Sequence, residues 1–244
     1  MKRFIGTYHK TGTVLIDGIA LKLIAGDVIK TWRSESDEEP ETWDLCTAPH
    51  AHKHYEEMAE DRPDRRYVVV VRDPRDVIVS GAYYHMTSNE AWLHEPRPHL
   101  NGDTYHDRIN AEIDMQARFG FELKHAGGST IRSMEALPEE KKNVLRLHFE
   151  DLVTDESLLP FSQMFDFLEL PSEMKDTWMK ICWQVSLFGG TANKRSKHVR
   201  SGQPGQWKTE LSHEVLSLYE THLGAPHRTL GYPDDGWMPS AGRG

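Results

Sequence analysis

The sequence predicts an α/β fold, a three-layer sandwich on a central parallel sheet, and three stretches carry that expectation. Residues 3–8 read as a short buried strand that enters a Gly-containing turn and then an apolar helix. Residues 66–71 end in four consecutive valines with no alternation, the pattern of a parallel strand covered on both faces. Residues 143–152 run once more from strand into helix.

The 244 residues, 38% hydrophobic and 27% charged, suit one domain over residues 1–244, with a Pro/Gly-rich flexible tail at 231–244. A net charge of −9 argues against non-specific nucleic-acid binding, so any anionic ligand needs a local basic pocket. No apolar run is long enough to span a membrane, and the first strand starts too early to leave room for a leader. Cys46 and Cys182 show no ligand spacing, and the fourteen histidines carry no H-E-x-x-H signature. A cytoplasmic protein without a metal is therefore expected.

Taken in order, apolar residues at 14–16, 19–20 and 23–24 recur at helical spacing, so a helix packs on the sheet and stops near Gly26. A second strand is expected at 28–32 and an acidic loop at 34–41. A third strand, at 43–50, delivers His50 at the sheet edge where α/β proteins place ligands. A helix ends in the polar stretch 56–64, and Pro74 suits the first turn of the helix after the valine strand. Residues 83–106 are aromatic-rich and without period, as in lids and binding loops. Tyr83, Tyr84 and Trp92 there either line an acceptor pocket or pack the loop onto the core. One helix is expected over 103–124 through Ile109, Ile113, Ala117 and Phe121, ended by Gly127 and Gly128, with Ser129 capping the next. Amphipathic helices follow over 158–168 and 172–185, and a closing helix over 212–223.

The first fifteen residues hold the chemistry. The turn Tyr8-His9-Lys10-Thr11-Gly12-Thr13 directs backbone N–H groups, a helix dipole and a lysine to one point, which suits a phosphate or sulfate. A nucleoside-triphosphate P-loop has its lysine directly after the last glycine, whereas Lys10 precedes Gly12 by two positions. With Thr7 in front, the turn resembles the T-Y-P-K-S-G-T-T phosphosulfate loop of sulfotransferases, with His9, Thr11 and Val14 as departures. Arg72-Asp73-Pro74-Arg75-Asp76, with Ser80 further along, resembles that family's 3′-phosphate segment. Arg72 offers a planar fork of donors, and Ser80 adds a hydroxyl two helical turns on. Arg200, Gly202, Gly205, Trp207 and Lys208 match the family's R-K-G-x-x-G-D-W-K signature, with Ser201 and Gln206 as departures.

The resemblance implies the P-loop-related sulfotransferase fold. It also implies in-line transfer of a sulfuryl group from 3′-phosphoadenosine 5′-phosphosulfate (PAPS) to a hydroxyl or amine of a small-molecule acceptor, leaving adenosine 3′,5′-bisphosphate (PAP). Its catalytic set is His50, Lys10 and Ser80. His50 is the general base, favoured over His52 and His54 by its spacing to Arg72, although Ala48 and Pro49 replace the usual Lys-Thr before it. A His-rich helix cap is the structural alternative. Lys10 neutralises charge on the leaving phosphate, with Thr11, Gly12, Thr13, Val14 and Leu15 around it. Arg72, Ser80, Arg200, Ser201 and Gly202 hold the 3′-phosphate. Phe149 either faces adenine or belongs to the core, and His9 and His52 join the lid aromatics towards the acceptor. No metal, nucleic acid or membrane takes part. Two rivals remain: a P-loop nucleotide phosphotransferase, and a catalytically silent bisphosphate-binding protein.

Overall fold

The structure, a computed structural model, describes residues 1–34, 39–60, 62–138, 141–189 and 202–235. The strands are β1 Lys2–Gly6, β2 Thr31–Arg33, β3 Leu45–Ala48, β4 Arg65–Val71 and β5 Val144–His148. The helices begin with α1 Thr13–Ala25, α2 Tyr55–Ala59, α3 Pro74–His85, α4 Tyr105–Ala111, α5 Met115–Lys124 and α6 Ala126–Glu135. They continue with α7 Phe149–Thr154, α8 Leu159–Phe167, α9 Lys175–Val185, α10 Trp207–Glu210, α11 His213–Leu223 and α12 Pro226–Thr229. The chain divides into two compact units, Met1–Arg72 with Ala136–Pro204, and Asp73–Glu135 with Gly205–Gly244.

The first unit holds the whole sheet, five parallel strands in the order β2-β3-β1-β4-β5. Alternation along each strand sends Ile5, Leu45, Val68, Val70 and Leu147 to one face. They are buried there with Ile16, Ile19 and Leu23 of α1, Phe161 and Phe165 of α8, and Trp178 and Val185 of α9. On the other face of the pleat, Phe4 stacks on its register partner Tyr67 with ring centroids 4.7 Å apart, and Trp43 meets Phe4 edge-on at 5.2 Å. The second strand is shorter than expected. Val28 still belongs to the exit from α1, where its N–H donates to the Leu23 carbonyl.

The second unit is helical. Pro74 occupies the first turn of α3, and the Asp73 carboxylate caps it by accepting from the Arg75 N–H. The single helix expected over 103–124 is two helices. The chain is extended at Glu112, and Asp114 accepts from the Ala117 N–H to start α5 afresh, which leaves Ile113 of the apparent apolar stripe 92% exposed. Gly127 and Gly128 lie inside α6 rather than at a helix end, and Ser129 is an interior residue, not a cap. The reason is closeness: a Cβ on Gly128 would collide with the Leu123 carbonyl at the end of α5. Glu122 is fully buried, accepts from the Tyr105 hydroxyl at 2.8 Å and meets His85 Nδ1 at 2.8 Å. The start of the expected tail is held in place. The Pro233 carbonyl accepts from Arg75, and Asp234 accepts from His227 and Arg228. Residues 236–244 lie outside the described residues.

Candidate active site

The site is built where β1 gives way to α1. Lys10 has a φ of 65° and Gly12 a φ of 108°, so the chain turns twice through left-handed backbone before the helix begins. Threonines brace the turn. The Tyr8 N–H donates to the Thr11 hydroxyl at 2.8 Å, that hydroxyl donates back to the Tyr8 carbonyl at 3.1 Å, and the Thr7 and Thr13 hydroxyls share a hydrogen bond of 2.8 Å. Thr11 is fully buried and shapes the loop from within. No side chain caps α1, so the N–H groups of its first turn, Thr13, Val14 and Leu15, are left for a ligand at the loop. Val14 is exposed, and Leu15 packs against the core.

Arg72, at the end of β4, closes the loop from the other side. Its Nη1 donates to the Lys10 carbonyl at 3.0 Å, and its guanidinium lies 4.7 Å from the Phe149 ring centroid. Arg72 is only 5% exposed, a guanidinium held out of solvent at the strand end. Phe149 is also the floor under Gly12, where a Cβ would sit 2.9 Å from the ring. Only 8% exposed and part of the core cluster, Phe149 supports both the glycine and the arginine. The loop, Arg72 and Phe149 form one packed assembly within the first unit. Tyr8 is bonded through its hydroxyl to Tyr55, and burial first, then Tyr55, pushes its ionisation well above the usual tyrosine range.

His50 is brought to the same loop by the backbone. The Thr7 N–H donates to the Ala48 carbonyl and the Ala51 N–H to the Thr7 carbonyl, which clamps residues 48–51 beside the first loop residue. Gly6 permits this approach, because a Cβ there would lie 2.8 Å from that of Ala51. His50 is exposed at the start of the 3₁₀ turn Ala51–His54, with the His52 ring 5.8 Å away and also exposed. His54 is set apart, since its ring leans on Phe4 at 5.3 Å. Among the described residues, no group of three His, Cys, Asp or Glu is placed to hold a metal ion.

His9 is half-buried in the turn. In the second unit, Ser80 is half-buried on α3. The aromatics of the 83–106 segment have polar partners. Tyr84 and Trp92 donate to the two oxygens of Glu90, and Tyr83 donates to Glu210. Arg200 and Ser201 lie outside the described residues, while Gly202 has a φ of 66° that suits a glycine. Sequence reasoning missed Asp76. Fully buried on α3, it accepts from the N–H groups of Gly205 at 2.7 Å and Trp207 at 2.9 Å, fixing the start of α10. Arg75 beside it forks onto Asp73 and lies 3.6 Å from the Trp207 ring centroid. The signal was in the motif: both charges beyond Arg72 and Asp73 are buried, and buried charges need partners.

Residues 2–225 match the family described as the sulfotransferase domain. A search of curated proteins finds no matching relative. Solved structures do match. Mouse sulfotransferase SULT7A1 complexed with PAP aligns with a TM-score of 0.53 at 15% identity, over 95% of this chain and 89% of that one. Retinol dehydratase, in complex with androsterone and inactive cofactor PAP, aligns with a TM-score of 0.53 at 14% identity, over 92% and 80%. A complex of retinol dehydratase with retinol and PAP gives 0.51 at 13% identity, over 97% and 83%. With the family match spanning nearly the whole chain and these structures sharing its fold, the protein belongs to the sulfotransferase domain family.

Proposed function

We propose that this sulfotransferase takes its sulfuryl group from PAPS and passes it to a hydroxyl or amine of a small-molecule acceptor. The observation that carries the reading is the assembly of an uncapped helix start, a left-handed Lys10 and the buried Arg72 around one loop. The N–H groups of Thr13, Val14 and Leu15, with Gly12 giving close backbone approach, hold the 5′-phosphate. Lys10 stabilises the charge that grows on the bridging oxygen as the bisphosphate leaves. His50 accepts the acceptor proton, because it is the exposed histidine held directly beside Thr7. PAPS supplies the activated sulfuryl group, and the chain binds, orients and moves the proton.

Arg72 and the Arg200-Ser201-Gly202 segment recognise the 3′-phosphate, with Ser80 added by the motif alone. The relatives in complex with androsterone or retinol support a small-molecule acceptor. The cytoplasmic assignment rests on Cys46 and Cys182 being free, buried thiols.

Thermal unfolding with PAP against ATP–Mg²⁺ tests the donor site. At about a hundred times the dissociation constant, PAP adds roughly 2.7 kcal/mol, about 5 to 10 °C for a chain of this size. The shift is expected with PAP alone and is expected to vanish in Arg72→Ala, each variant being compared with its own ligand-free sample. A shift with ATP–Mg²⁺ only would favour a phosphotransferase. Binding of PAP without transfer of labelled sulfate from PAPS to any of a broad acceptor panel would identify a silent binding protein.

A further inference from the structure

We propose that Arg146 of β5 selects an acceptor that carries a carboxylate besides the group to be sulfated, and that it holds this carboxylate beside the Tyr8 and Tyr55 hydroxyls. The inference rests on the sulfotransferase reading above and names the class of acceptor. The register of the sheet supplies the placement. Phe4 and Tyr67 share the face opposite the α1 core, and two residues further on Gly6 pairs with Val69 and Val69 with Arg146. Arg146 therefore stands on that same face, two strand spacings or about 10 Å from Gly6. All of these residues belong to the first unit.

The histidine turn covers this face. A Cβ on Gly6 would lie 2.8 Å from that of Ala51, and Tyr55 stands four residues beyond Ala51, where its hydroxyl bonds that of Tyr8. The two phenols thus come from the segments that carry Lys10 and His50. Burial is the first cause that raises the ionisation of both, and Arg146 acts on both in the opposite sense, as a nearby cation does. The elements proposed for PAPS lie on the other face, where α1 and Phe149 pack with Ile5, Val68 and Val70. A ligand at Arg146 is therefore the acceptor's.

The charges on this face select an anion. None of the strands β1 to β5 contains Asp or Glu, and the side chains they send to this face include Lys2, Arg65, Arg146 and His148. Lys2 has the Glu39 carboxylate at 2.6 Å. Arg65 has Glu57 of α2, which also accepts from the Tyr67 hydroxyl at 2.9 Å, and His148 is engaged as well. Arg146 differs from all three. Among the described residues it has no hydrogen bond or ion pair, and its Nε is buried without a partner. A guanidinium withdrawn in part from water needs a counter-charge, and its planar fork fits a carboxylate through two parallel bonds. No carboxylate is among the groups that act on either phenol. Arg146 and Tyr55 are only half-buried, so a ligand reaches both from solvent.

The test uses the full chain saturated with PAP, which fills the donor's own anion sites. The probes are 4-hydroxyphenylacetate, 12-hydroxydodecanoate and lithocholate, each against its own primary amide. Calorimetry reads affinity, and arginine-selective NMR reads the Arg146 Nε–H signal, assigned by its loss in Arg146→Lys. At least one acid is expected to bind about tenfold more tightly than its amide and to move that signal. Arg146→Gln should bring the ratio near one, and Arg146→Lys should keep part of it. No preference in any pair, or a preference unchanged in Arg146→Gln, would overturn the proposal. So would PAP alone moving the Arg146 signal in full, since the missing anion would then belong to the donor. Should Arg146→Gln not fold, the acid-to-amide ratio and the signal of the unchanged chain decide. The PAP-induced thermal shift on the same samples separates the two levels: where it is present, a failure is that of the carboxylate site alone, and where it is absent the donor site fails with it.

Discussion

Gly12 shows how much one residue decides in this site. Its φ of 108° is a conformation that a side chain resists, and a Cβ would press against the Phe149 ring that also supports Arg72. Gly12→Ala is expected to destabilise the fold by about 1–3 kcal/mol and to weaken PAP binding along with it, measured by urea unfolding and ligand-induced thermal shift. A variant as stable as the parent would show that the loop relaxes freely. His50 and His52 differ in a way that only chemistry can read out. Loss of a general base costs a factor on the order of 10² to 10⁴ in turnover, so His50→Ala should show that loss while His52→Ala keeps most of the activity; the reverse ranking would move the base to His52. These residues were legible because their spacing matches a motif. The work of Arg72 on the Lys10 carbonyl and of Phe149 beneath Gly12 was not, because both contacts join residues far apart in the sequence.

At the level of elements, chain signals worked where caps and periods agree and failed where a cap overrides a period. Pro74 opens α3 as expected, with Asp73 as its cap. The stripe through Ile109, Ile113, Ala117 and Phe121 spans a break because Asp114 captures the Ala117 N–H and resets the helix. The start of α10 depends on a distant carboxylate. Asp76 accepts two backbone N–H groups while fully buried, and hydrogen bonds to a charged group contribute about 1.5–3 kcal/mol each. Asp76→Ala should therefore cost about 3 kcal/mol or more in urea unfolding and open residues 202–207 to limited proteolysis. Asp76→Asn, which keeps one acceptor, should fall between the two. Unchanged stability in the alanine variant would remove Asp76 from this role.

Across the whole molecule, buried phenols and thiols set an alkaline limit. Burial pushes Tyr55 and Cys46 up to about 12, and it raises Tyr8, Tyr67, Tyr105, Tyr219 and Cys182 as well. The unfolded chain ionises its tyrosines near about 10, so above that pH the folded state binds more protons than the unfolded state and stability falls as pH rises. This contribution is present in full below the unfolded values and is lost on the way up through the folded ones. Spectrophotometric titration of the folded protein should find fewer than the eight tyrosines ionising normally near pH 10, the rest appearing together with unfolding. Eight normal titrations without loss of structure would contradict the burial. The net charge of −9 has a second consequence, since anion sites must be local: the loop at Lys10 and Arg72 concentrates cations and backbone dipoles against an unfavourable overall field.

The sequence by itself determined the parallel α/β class, the strand–loop–helix that begins the chain, and the family. Each is written in contiguous runs: four valines, a Gly-containing basic turn, and three motifs that match the family in order. The tertiary structure alone decided which charges are buried and what they hold. Arg72 braces a loop, Arg75 and Asp76 secure α10, and Glu122 joins His85 to Tyr105. The physical reason is that a charge costs the same in the sequence wherever it is written. Only its removal from water, and the partner it then finds, gives it a role.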